Sequence, residues 1–152
     1  MREQIAQAFS NGVDLMSFSG HGSNAAWGTQ TIVNTDFVKS LNNQGRPPVV
    51  MPLACYTTNY ESLNTNTLAH QWLFADVGDQ QVNNNIGSVA IHGATVLGEY
   101  RENAIFAERY LNQVTASATI GEAIKKAKQQ MATQNLMLNN WALLGDPALP
   151  LR

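Results

Sequence analysis

Two short apolar runs, each ending in a chemically reactive motif, constrain this chain more than any other feature. Val13-Asp14-Leu15-Met16-Ser17 leads into Phe18-Ser19-Gly20-His21-Gly22-Ser23, and Pro48-Val49-Val50-Met51 leads into Pro52-Leu53-Ala54-Cys55-Tyr56. Short apolar runs of this kind read as buried strands of a parallel sheet. The 34 positions from His21 to Cys55 leave room for one helix and the return to a neighbouring strand. Adjacent strands lie about 4.8 Å apart, so a histidine and the single cysteine would emerge side by side at one sheet edge.

The rest of the chain alternates in the same way. Residues 2–11 read as a helix stopped at Gly12, a left-handed position that glycine adopts cheaply. The first strand is then 13–17. A helix over 36–41 takes Thr35 or Asn34 as its N-cap and Gly45 as its stop. The second strand is 49–53. Leu68, Trp72 and Leu73 mark a short amphipathic helix, Asn83-Asn84-Asn85 a polar turn, and 88–91 a third strand. A helix follows over 99–114, and Thr119-Ile120-Gly121-Glu122 has the capping-box pattern opening another through Met131. Residues 140–144 make a fourth strand, stopped by Gly145-Asp146-Pro147. Strands alternating with crossovers of a dozen residues or more argue an α/β fold with a parallel sheet, in which ligands sit beyond the carboxyl ends of the strands.

Imidazole and thiol together are the minimum for nucleophilic acyl transfer at neutral pH. A Cys55 thiolate attacks a carbonyl carbon, and the His21 imidazolium gives its proton to the leaving amine. Gly22 lacks a Cβ, so its N–H can approach a developing oxyanion, with the Cys55 N–H as second donor. His92 repeats the His-Gly pattern after the third strand and is the rival partner for Cys55. His21 is preferred for its Gly/Ser-rich flank, with His92 read as structural or pocket-lining and His70 as having no role.

Bulk properties exclude several classes. There is no basic stripe for nucleic acid, and no stretch of about 18 apolar residues for a membrane span. The three His and one Cys lie on separate elements without metal-ligand spacing. Neither a Gly-x-Ser-x-Gly elbow nor a Gly-x-Gly-x-x-Gly loop occurs, which disfavours an α/β-hydrolase or a nucleotide enzyme. One Cys forms no internal disulfide.

Gly20-His21-Gly22-Ser23 with Trp27, Ala54-Cys55, Gly87-Ser88-Val89-Ala90-Ile91 with Gly93-Ala94-Thr95, Gly121-Glu122-Ala123 and Leu143-Leu144-Gly145-Asp146-Pro147-Ala148-Leu149 together resemble the gingipain (C25) peptidase family of the caspase-like clan. The resemblance runs from about Val13 to Arg152. It implies a caspase-like three-layer sandwich, a mostly parallel sheet flanked by helices, and cysteine endopeptidase activity on protein or peptide substrates, with no cofactor and no catalytic metal. Carried over by position, His21 is the catalytic histidine, Cys55 the nucleophile, and Gly22 with Cys55 the oxyanion donors, while Trp27 and Gly145-Asp146-Pro147 are structural. It also implies secretion or display at a bacterial cell surface.

A complete domain of that family is longer, so residues 1–152 are expected to be a partial peptidase domain lacking upstream strands. Its first strand would then be an open edge inviting self-association. Some family members that cleave after basic residues place a Trp near the specificity pocket where this chain reads Thr95-Val96-Leu97-Gly98-Glu99-Tyr100. Tyr100 as a pocket wall and Glu99 as an attractor of cationic side chains are one reading; both opening the next helix is the other. The competing function is a non-catalytic caspase-like module that binds peptides or assembles with a partner.

Overall fold

In the computed structural model, which describes residues 1–61, 66–74, 86–131 and 139–151, a four-stranded sheet lies between two helical layers. The order along the chain is α1 (Arg2–Asn11), β1 (Leu15–Ser19), β2 (Ala26–Trp27), β3 (Val33–Asn34), α2 (Thr35–Ser40), β4 (Val49–Leu53), α3 (Leu68–Phe74), β5 (Ala90–Ala94), α4 (Tyr100–Val114), α5 (Ile120–Gln129) and β6 (Trp141–Gly145). The main sheet runs β1-β4-β5-β6, and β2 with β3 forms a separate small hairpin. This is the α/β fold read from the strand and helix pattern, in the three layers that the family resemblance implies. The turn expected at Asn83-Asn84-Asn85 lies outside the described residues.

Side chains alternate faithfully across the sheet. Val50 and Ile91 join Phe9, Trp27, Val38, Leu68 and Trp72 beneath α1, α2 and α3. Met51, Leu53, Ala90 and Ala94 turn the other way, against Phe106, Tyr110, Ile120, Ala123 and Ala127 of α4 and α5. A two-residue side-chain period buried on both faces produces two cores from one sheet.

The first strand starts two residues later than expected, because proline sets its register. Pro47, whose backbone faces β1, has no N–H to give, so the β4 ladder begins at Val49, whose partner is Leu15. The third strand continues to Ala94, since His92 and Gly93 are buried within it. In the sequence, a histidine followed by glycine looks like an end. Helix α2 starts and ends one residue earlier than expected and is capped by Leu41 rather than stopped by Gly45; its N-cap is Asn34, whose side chain accepts from the Phe37 N–H at 2.9 Å.

The last strand, β6, is antiparallel to β5. A single crossover helix would return the chain to the sheet end where β5 began. Here two helices stand between the strands, so β6 starts at the end where β5 finished, and the Thr95 N–H donates to the Asn140 carbonyl at 2.7 Å. At the opposite end, the Gly145-Asp146-Pro147 corner docks on the start of α5. The Gly121 N–H donates to the Pro147 carbonyl and the Ile120 N–H to that of Leu149, so the orphan amides of the helix are satisfied by backbone. A Cβ on Gly121 would lie 2.7 Å from that of Pro147. Thr119 Oγ1 caps the Glu122 N–H, while the Glu122 carboxylate reaches back to the Ala118 N–H. The Asp146 side chain accepts from the Ala148 N–H and ties the corner, as its sequence suggests.

His92 sits in the α4/α5 core, fully buried among Trp141, Phe106 and Tyr110 at centroid separations of 5.2, 5.4 and 5.9 Å. Neither ring nitrogen has a hydrogen-bond partner among the described residues. Burial, with the Lys128 ammonium nearby, pushes the imidazole down to about 3. Burial likewise pushes the Tyr110 hydroxyl up to about 12. The unfolded chain therefore takes up a proton at His92 below an ordinary value of about 6.5, and the folded chain does not. This stabilising difference is whole above pH 6.5 and is lost as pH falls towards 3, at up to about 1.4 kcal/mol per unit. Urea unfolding midpoints should drop between pH 7 and pH 5, and His92→Phe should flatten that drop; equal pH dependence in the two proteins would refute the assignment.

Among the described residues β1 pairs on one side only, with β4. We expect the polypeptide 1–152 to self-associate through this edge. Sedimentation velocity across a concentration series should show larger species that Ser19→Lys reduces; a monomer at every concentration would contradict this.

Candidate active site

β1 and β4 are parallel and in register, Ser19 opposite Leu53. His21 and Cys55 each lie two residues beyond that last pair, so both leave the same end of the sheet from neighbouring strands. The Gly20 N–H still reaches the Leu53 carbonyl at 3.5 Å, so the two chains remain together as they leave.

The histidine loop is held by a small hairpin. The Gly28 N–H donates to the His21 carbonyl at 2.8 Å, and the Ser23 N–H to the Ala26 carbonyl at 2.9 Å. These flanking bonds bring Gly22 opposite Trp27 and leave its own N–H outside the pairing. Ser23 Oγ accepts from the Ala25 and Ala26 amides. Trp27 is the anchor: completely buried, it stacks on Phe18 at 5.3 Å and on Trp72 at 5.7 Å. Its role is structural, as expected. The His21 side chain itself is exposed.

Gly22 touches the cysteine strand directly. A Cβ there would lie 2.7 Å from the Ala54 Cβ, 2.9 Å from the Cys55 carbonyl oxygen and 3.0 Å from the Thr57 Cγ2. No side chain fits, and the two backbones are therefore in contact.

Cys55 is half-buried, and its turn is built around a proline. In β4, Val49 donates to Asp14 and Leu53 accepts from Gly20, so odd-numbered backbone groups point to β1. Even-numbered ones point to β5, as the Val89 N–H bonded to the Pro48 carbonyl shows. The N–H missing at Pro52 is therefore one that β5 would have received. The recorded β4–β5 register stops at Val50–Ile91. Into the crevice beyond it fold Thr57 and Thr58. The Thr58 hydroxyl donates to the Gly93 carbonyl at 2.6 Å and that of Thr57 to the Ala54 carbonyl at 3.1 Å. A Cβ on Gly93 would meet the Thr57 hydroxyl at 2.7 Å. The reversal occurs at Tyr56, a non-glycine residue with φ 56°, a conformation costing about 1–2 kcal/mol. Strain of this kind persists only where surrounding bonds hold it.

The loop after β5 lies against the sulfur. Cys55 Sγ is 3.4 Å from the Gly98 amide nitrogen and 3.7 Å from the Gly98 carbonyl oxygen. Glu99 is the N-cap of α4 without a side-chain cap bond, and Tyr100, 73% exposed, is its first residue. Both open the helix, and both follow directly on the glycine that touches the sulfur. His92, inside the α4/α5 core, is removed from this edge. His70 is half-buried against Phe74 on α3. Sequence reasoning passed over Gly98, whose contact is made by backbone alone, and Tyr56, whose type carries no signal for positive φ.

A sequence model of Peptidase family C25 matches residues 1–152. Gingipain R2 of Porphyromonas gingivalis is 28% identical over 99% of this chain and 21% of its own length. Gingipain R1 of Porphyromonas gingivalis is 28% identical over 99% of this chain and 16% of its own length. The crystal structure of the Arg specific cysteine proteinase gingipain R (RGPB) superposes with a TM-score of 0.83 at 24% identity, covering 100% of this chain and 36% of that one. The chain thus spans about a fifth or less of these two relatives and shares the gingipain fold throughout. With its His-Gly and Ala-Cys strand ends side by side at one rim of that fold, the chain belongs to Peptidase family C25.

Proposed function

We propose that the chain is the part of a cysteine endopeptidase domain that carries its catalytic dyad. The observation that carries this reading is the common offset of His21 and Cys55 beyond the paired Ser19 and Leu53. The Cys55 thiol gives its proton to His21 as the sulfur attacks the carbonyl carbon of a peptide bond and forms a C–S bond, and the carbonyl electron pair moves onto oxygen. The N–H groups of Gly22 and Cys55 receive that oxyanion, each such donor being worth about 3 kcal/mol of barrier. The Gly22 N–H, left outside the hairpin pairing, and the close contact of Gly22 with the cysteine strand support this role. His21 protonates the departing amine as the C–N bond breaks, then takes a proton from the water that hydrolyses the thioester.

Substrates are proteins or peptides. Glu99 and Tyr100, beside the glycine that meets the sulfur, contact the substrate side chain ahead of the cleaved bond. The exposed Glu99 carboxylate suits a cationic residue, in keeping with the Arg specificity named for the gingipain R structure. No described helix is long and apolar enough to cross a membrane. Family membership supports a secreted or cell-surface bacterial protein.

Cys55→Ala should abolish both peptide cleavage and labelling by a thiol-directed peptide electrophile, and His21→Ala should lower kcat/KM by about a thousandfold or more. These variants belong in the full-length parent protein. Undiminished turnover by the Cys55 variant would end the proposal. Peptide that binds uncleaved, with no electrophile reaction, would favour a non-catalytic module instead. Gly22→Ala should push the histidine loop off the cysteine strand and cost about a hundredfold in kcat/KM, the usual consequence of a misplacement near 1 Å. Wild-type kinetics in that variant would contradict the close approach.

A further inference from the structure

We propose that Gly98 is a positioning residue for the Cys55 sulfur: its carbonyl oxygen accepts from the protonated sulfur, and its amide N–H donates to the deprotonated one. The inference rests on Cys55 being the nucleophile. It goes further by assigning the control of that sulfur to one peptide group on another strand's exit loop.

Three contacts align the two segments. The Thr58 N–H donates to the Ala94 carbonyl at 2.9 Å, and the Tyr56 N–H donates to the Val96 carbonyl at 3.1 Å. Each step of two residues back along one segment is a step of two forward along the other. The next rung would bring the backbone of Ala54 to Gly98. In its place stands the Cys55 side chain, with Sγ 3.4 Å from the Gly98 nitrogen and 3.7 Å from its oxygen. The sulfur therefore completes a one-sided antiparallel ladder, and this ladder holds Gly98 at the correct distance. Val96 and Leu97 at the loop tip are exposed, so this short ladder, rather than a core, fixes the loop.

Both ionisation states find a partner without rotation of the side chain. While S–H is intact it donates to the carbonyl. When the bond breaks, the electron pair stays on sulfur and the proton passes to a base. The carbonyl contact then becomes repulsive, and the amide contact becomes a charge-assisted hydrogen bond. One glycine serves both forms, and the sulfur stays aimed between deprotonation and attack. Glycine is not required here for its backbone conformation, since Gly98 is absent from the positive-φ glycines. Alanine and proline are thus both informative replacements.

The test combines NMR with alkylation. In uniformly ¹⁵N-labelled protein the Gly98 amide resonance should move downfield with rising pH, in step with the rate of Cys55 alkylation by iodoacetamide. In Cys55→Ala it should stay still. Gly98→Pro, which removes the N–H, should slow alkylation at pH 7 by about tenfold and displace its pH profile upward. Gly98→Ala, which keeps the N–H, should match wild type. A Gly98 resonance that titrates identically in Cys55→Ala, or a folded Gly98→Pro protein with the wild-type profile, would overturn the proposal. If Gly98→Pro does not fold, the NMR pair decides alone. Peptide cleavage by Cys55→Ala would sink the nucleophile reading separately, and the NMR pair would still decide the sulfur contact.

Discussion

The hydrogen bond that Pro52 cannot make shapes the reactive edge of this molecule. In a parallel strand, successive backbone groups serve alternate neighbours, and in β4 the even-numbered groups face β5. A proline in a central strand is ordinarily a defect, because it deletes a ladder donor. Here the deletion falls next to the strand's carboxyl end and on one side only. Pairing with β1 continues to Leu53, which keeps the histidine and cysteine strands together. Pairing with β5 is released early, and the chain folds back into the resulting gap. The Thr58 hydroxyl reaches across to the Gly93 carbonyl of β5, and the Thr57 hydroxyl closes back on the Ala54 carbonyl.

What surrounds this edge is rigid for reasons that lie in the two cores. On one face Trp27, Phe18, Trp72 and Phe9 form a continuous aromatic chain that fixes the histidine loop to the helical layer. On the other, Phe106, Trp141, Tyr110 and His92 fill the space under α4 and α5. Large rings bury much area at small conformational cost, and their contacts here link successive elements rather than neighbours in sequence. The histidine loop is thereby anchored to a core through Trp27, whereas the loop after β5 is held by its backbone bonds to the cysteine turn.

Much of this was legible from residue types. Apolar runs located β4 to the residue, and capping chemistry located α1 and the start of α5. The order of His-Gly and Ala-Cys motifs indicated which strand ends meet. Less legible were features that depend on partners. The start of β1 is set by Pro47, on the approach to β4, which no local pattern in residues 13–19 encodes. The reversed direction of β6 follows from two helices rather than one between strands, a count the sequence does contain but the rule of alternating strands obscured. Which histidine joins the cysteine was weighed on its flanking residues; burial of His92 among rings is a property of the folded sheet alone. The sulfur's contact with Gly98 uses only peptide atoms, so no side-chain pattern could have announced it.

The alternation of β4 has an evolutionary corollary. Adding or deleting one residue between Val49 and Cys55 would exchange which neighbour each backbone group serves. The unpaired proline would then face the histidine strand, and the two cores would trade side chains. Identity within this stretch can drift among apolar types, but its length cannot. Spacing between the last paired residue and the cysteine should accordingly vary less among descendants than the residues that fill it.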